Sequence, residues 1–125
     1  MTRERVEQWV AEYERLWRSQ DPDNLGSLFT DDATYRTSPW AQPISGLPAL
    51  QTFWAEGSEP GEEFTMSSSV VAVDGSTAVV RVAVEYQNPT EPWRDLWVLE
   101  FAEDGRCSAF EEWPFAPQQD DGQAH

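Results

Sequence analysis

The chain has 125 residues, 39% hydrophobic and 13% aromatic, enough for one domain with its own core and too few for two. Its formal net charge of −15 argues against nucleic acid and anionic membranes as partners, because their phosphates would be repelled. One histidine at the very end, one cysteine and no lysine exclude a histidine-based triad, a zinc site, a disulfide, a Schiff base and a P-loop, leaving acid–base chemistry to carboxylates and tyrosines.

Val6, Trp9, Val10, Tyr13, Leu16 and Trp17 recur at three- and four-residue spacing among Arg and Glu. That pattern predicts an amphipathic helix, with Thr2 as its cap. "QDPDNLGSLF" starts a second helix, with Asp21 as N-cap, Pro22 in the first turn, and Leu25, Leu28 and Phe29 on one face. "DDATYRTS" reads as a turn and a short strand, and "SPWAQPISG" as a proline-broken loop. Leu47, Leu50, Phe53 and Trp54 mark a third helix, ended by Gly57 and Pro60. The period then changes to two, and residues 62–73, 77–87, 93–102 and 106–115 read as strands. Asp-Gly pairs in "VDGS" and "EDGR" close two hairpins, while "NPTEP" is a longer, stiffer joint. Residues 1–117 make a single domain, and 118–125, with His125, a polar tail. The order α-α-β-α-β-β-β-β predicts an α+β fold, helices packed on one face of a curved, mainly antiparallel sheet.

No apolar run reaches the length of a membrane span, and "MTRERVEQWV" lacks the core of a signal peptide. With Cys107 alone, a reducing cytoplasm is the expected location, and the thiol is expected to pack as a small buried hydrophobe. No cofactor or metal motif appears.

"TAVVRVAVEYQ", residues 77–87, poses the sharpest question. Val80, Val82, Val84 and Tyr86 form one face of this strand; Arg81, Ala83 and Glu85 lie on the other. Periodicity alone favours a charged face in water over a valine core.

The stretch Tyr13 to Trp54 resembles the nuclear transport factor 2-like superfamily, in its SnoaL-like and ketosteroid isomerase-like branches. The likeness rests on the "D-x-x-x-L-x-x-L-F-x-D-D-A-T" run from Asp21 to Thr34, on Pro39, and on Ile44-Ser45-Gly46 before a helix ending in Phe53-Trp54. "DGRCSAFEEW" resembles the last hairpin of that fold. The resemblance implies a cone-shaped half-barrel, three N-terminal helices closing a strongly bent sheet around a pocket. It hosts unrelated activities and does not name one. In ketosteroid isomerases the chemistry resembles a carboxylate base beside an oxyanion hole of a tyrosine and a protonated acid. Tyr13 matches that tyrosine, but Thr37 and Ser38 stand where the base falls and Trp97 where the acid falls. Steroid isomerisation by that route is therefore not expected.

The same resemblance turns Arg81 and Glu85 into the cone, with Asp95, Trp97, Phe110 and Glu112 from the following strands. Tyr13, Tyr35, Thr37, Trp40 and Trp54 are expected to join them. It leaves Val80, Val82, Val84, Tyr86, Leu96, Val98, Cys107, Ala109 and Trp113 outside, as the interface of a homodimer. Two functions follow. One is an acid–base enzyme (cyclase, isomerase, dehydratase or hydrolase) acting on a small, mostly apolar oxygenated molecule. Glu112 or Asp95 would be its base, and Arg81, Tyr13 or Tyr35 would position an oxygen. The other is a non-catalytic ligand-binding or association module, in which Arg81 pairs with Glu85 or Glu112 and the polar groups satisfy one another.

Overall fold

The computed structural model describes residues 1–57, 63–87 and 90–119. Helix α1 (Arg3–Ser19) starts where the Thr2 hydroxyl accepts a 3.1 Å hydrogen bond from the Arg5 N–H, and it stops at a left-handed Gln20. Its buried stripe is Val6, Trp9, Val10, Tyr13 and Leu16, as the spacing predicts. The expected second helix is instead a short 3-10 helix, Pro22–Ser27, and Asp21 makes no side-chain cap on it. Asp, Asn, Gly and Ser in so short a segment do not sustain an α-helix.

Strand β1 (Phe29–Arg36) follows, then β2 (Ile44–Ser45) and helix α2 (Leu47–Gly57). The two-residue β2 falls inside the expected loop, where Ile44 and Ser45 pair with Tyr35 and Thr34. The meander is β3 (Phe64–Asp74), β4 (Thr77–Tyr86), β5 (Glu91–Phe101) and β6 (Cys107–Phe115). The Asp-Gly turns close as expected, with Gly105 at φ +88°, where a side chain would also collide with the Arg5 guanidinium. Pro60, the first residue of the strand expected over 62–73, the Asn88-Pro89 part of "NPTEP", and residues 120–125 of the tail with His125 lie outside the described residues.

The six strands form one sheet in the order β2-β1-β6-β5-β4-β3, antiparallel except for β1 against β6. Register shifts at Val70/Ala72 and Glu100/Phe101 break the pairing in β3 and between β5 and β6, devices that sharpen a bend. The helices cover the hollow side of this curved, unclosed sheet, giving the expected α+β cone. No helix among the described residues is long and apolar enough to cross a membrane.

The structure turns β4 over relative to the expectation. Opposed residues of an antiparallel pair share a face. Val80 opposes Trp97 and Val82 opposes Asp95, so both valines lie under the helices, fully buried. Arg81, Ala83 and Glu85 are exposed on the other side. The pairs close at Tyr86 and Glu91, leaving Gln87 to Thr90, an even number of residues, between them. Even positions of β4 therefore side with odd positions of β5. Aligning odd with odd is a one-residue slip, which reverses a whole face. The expected homodimer surface changes with it. Val80, Val82 and Cys107 belong to the core, whereas the outer face carries half-buried Leu96 and Val98 with exposed Trp113 and Phe115.

Deleting a buried group from β4 and deleting an outer one should differ sharply. Val82→Ala is expected to cost about 2 kcal/mol in chemical denaturation. Arg81→Ala should stay within about 0.5 kcal/mol of the parent. The opposite ranking would mean that the strand faces the other way.

Candidate functional site

Between the two helices and the hollow face of the sheet lies a cavity of about 370 Å³. Each wall follows from a local pattern. The stripe of α1 delivers Tyr13 and Trp17, α2 delivers Phe53 and Trp54, and alternation along β5 delivers Trp93, Asp95 and Trp97. Glu112 comes from β6, opposite Trp97 and diagonal to Asp95, whose own partner is Pro114.

Asp95 is only 7% exposed, and its Oδ1 has no hydrogen-bonding partner among the described residues. The Glu112 carboxyl is close enough to hydrogen-bond it. Burial first, then the hydrogen bond and the charge of Asp95, push the Glu112 pKa up to about 9. A buried carboxyl in contact with a second acid resists ionising, so Glu112 keeps its proton at neutral pH. A protonated Glu112 is the donor that the Asp95 carboxyl otherwise lacks.

Opposite the pair, the Tyr13 and Tyr35 hydroxyls hydrogen-bond at 3.0 Å. Burial, then the charges of Tyr35 and Glu112, raises Tyr13 well above the ordinary phenol range. Burial and the Glu112 charge do the same to Tyr35. Both remain protonated donors at any working pH. Their rings are set by Phe110, which is parallel to each, 4.4 Å from Tyr35 and 5.7 Å from Tyr13 between centroids. Trp97 and Trp54 close the cluster on Tyr13 at 4.7 and 5.1 Å. The buried Trp54 and Trp97 indole N–H groups make no hydrogen bond among the described residues.

Tyr13, Tyr35, Thr37, Trp54, Asp95, Trp97 and Glu112 thus meet at one cavity, with Phe110 buried behind Tyr35 and Tyr13. Three expected members do not. Arg81 and Glu85 lie on the outer face, for the register reason given above. Trp40 is 96% exposed, because the turn closed by Ala41 N–H to Ser38 O, and held by Arg36 on the Ala41 carbonyl, turns it outward.

Four wall residues escaped the sequence reading in readable ways. Trp17 continues the α1 stripe, Trp93 precedes Asp95 by one period of two, and Val84 and Tyr86 were hidden by the slip. Phe64 is a further wall residue, fixed by Arg18, whose guanidinium lies 4.1 Å over its ring and donates to its carbonyl at 2.9 Å. Cys107 is buried, and burial pushes its thiol up to about 12, so it packs as an inert hydrophobe. No group of three or more His, Cys, Asp or Glu among the described residues is placed to hold a metal ion.

Residues 6–110 match the profile of the SnoaL-like domain. No curated protein is similar enough to match. Among solved structures, the epoxide hydrolase/cyclase-like enzyme SalBIII, described for its role in pyran ring formation in the polyether salinomycin, is similar with a TM-score of 0.69. The likeness covers 87% of this chain and 89% of that one at 20% identity, a level that speaks for the fold.

The raised Glu112 pKa has a sign that can be checked. Below its ordinary value of 4.5 the carboxyl is protonated folded or unfolded, and burial adds no penalty. Between 4.5 and about 9 the unfolded chain ionises while the folded one keeps its proton, so stability falls as pH rises. Glu112→Gln keeps a donor for Asp95 and removes that fall. The gap in melting temperature between variant and parent should widen in favour of the variant from about pH 5 to about pH 8. A gap independent of pH would mean that Glu112 ionises normally.

Proposed function

Because the chain belongs to the SnoaL-like domain family, whose fold encloses a pocket, we propose that it is an acid–base enzyme for small, mostly apolar oxygenated substrates. The reaction proposed is opening of an activated C–O bond, by water or by a hydroxyl of the substrate itself. The carrying observation is the Asp95–Glu112 pair, two carboxyls in hydrogen-bond contact at the wall of an aromatic cavity.

Such a pair holds an acid and a base side by side. Glu112, protonated, gives its proton to the oxygen of the breaking C–O bond. Asp95, ionised, takes the proton of the attacking O–H as the new C–O bond forms. The cycle leaves Glu112 ionised and Asp95 protonated, and the hydrogen bond between them returns the proton without help from solvent. Tyr13 and Tyr35 have one hydroxyl proton to spare between them, since one O–H serves their mutual bond. That proton is available to orient a substrate oxygen. The similarity in fold to an epoxide hydrolase/cyclase-like enzyme supports this reading.

The test is turnover on a panel of small epoxides, with and without an internal hydroxyl. Asp95→Asn and Glu112→Gln should each lower kcat/KM by about 10²- to 10⁴-fold. Arg81→Ala, on the outer face, should leave it unchanged. Full turnover in both carboxyl variants would leave a ligand-binding module whose polar groups merely satisfy each other.

A further inference from the structure

Asp95 and Glu112 sit in a cavity whose wall, among the described residues, includes no Arg, Lys or His. Arg81, the one cation expected there, is on the other side of the sheet. With Glu112 holding its proton, the Asp95 carboxylate is the negative group of the pair, in a hollow walled largely by aromatic rings. A buried carboxylate without a cation is a costly arrangement, and native proteins normally pair such charges. The Asp95 residue is more than nine-tenths buried, with an oxygen that no described protein group satisfies outside its contact with Glu112.

Around it, Trp17, Trp54, Trp93, Trp97, Tyr13 and Tyr86 supply π-systems, which attract positive charge and offer nothing to an anion. Phe64 already shows the preference from the other side, carrying the Arg18 guanidinium over its ring. The chain as a whole, at −15, draws cations toward the mouth and repels anions.

We infer that the cavity selects positive charge, so that its ligand is a small organic cation or a neutral molecule that becomes positive at the centre where it reacts. Carboxylates, phosphates and other anions are excluded, and so is chemistry through an enolate, which would place a second negative charge beside Asp95. This names the charge class of the site's ligand and rests on the acid–base reading only for where the ligand sits.

Binding tests it without any turnover. Three phenyl compounds of similar size separate charge from shape: benzyltrimethylammonium, its uncharged isostere neopentylbenzene, and 3-phenylpropanoate. Calorimetry and thermal melts on the parent should rank the cation at least tenfold tighter than the neutral compound, with the anion not bound. The preference should persist at about 0.5 M NaCl, where exposed charges are largely screened. It should collapse in Asp95→Asn and survive in Glu112→Gln, which keeps the Asp95 charge.

Equal binding of the neutral compound, binding of the anion, no binding at all, or a preference abolished by salt each overturns the inference. A preference that Asp95→Asn leaves intact does so too. If Asp95→Asn does not fold, the ligand and salt series on the parent still decides. Loss of turnover in both carboxyl variants without any cation preference would sink this inference and leave the acid–base reading standing.

Discussion

In an antiparallel pair, opposite residues point the same way, and here that constraint decides what the cavity contains. Because Val82 faces Asp95 and Val80 faces Trp97, β4 lays its valines in the core and its charges in water. Shift the pairing by one residue and a guanidinium would enter the hollow beside the two carboxyls. The site would then be a neutralised ion-pair network. In the register the chain adopts, no cation among the described residues lines the cavity beside them.

That isolation sets the electrostatics of everything nearby. Burial raises Glu112, and its contact with Asp95 adds to the effect, since a second negative charge beside the first is penalised. The phenols respond to the same negative charge by holding their protons more tightly. Acid, base and neutral donors thus coexist within one hydrogen-bonded neighbourhood, with no metal needed to create the difference in acidity. The aromatic cluster keeps the dielectric low, and Phe110, parallel to both tyrosine rings, holds the hydroxyl pair in place.

Much of this was legible in the residues. The stripe from Val6 to Leu16 placed Tyr13 inward, alternation put Asp95 with Trp97 and Glu112 with Phe110, and the Asp-Gly pairs closed the two hairpins where expected. What failed was non-local. The face of β4 depends on the parity of the Gln87–Thr90 connection, for which no local turn rule exists, whereas an Asp-Gly hairpin carries its register with it. β2 exists only because β1 offers an edge. Trp40 looked like a wall residue by position, yet its direction is set by a turn in a loop that periodicity cannot read. The two acids could be seen to converge, but the contact that raises Glu112 depends on side-chain placement that a sequence does not carry.

The distribution of the tryptophans has a practical consequence. Trp17, Trp54, Trp93 and Trp97 stand on the cavity wall, and Trp40 is almost wholly in water. The protein therefore carries its own optical reporter. Any molecule entering the hollow changes the surroundings of several indoles at once, and their emission shifts or quenches without a dye or label. Replacing Trp40 and Trp113, the two exposed indoles, by phenylalanine would strip away the red-shifted background and leave a signal dominated by the wall indoles and the buried Trp9.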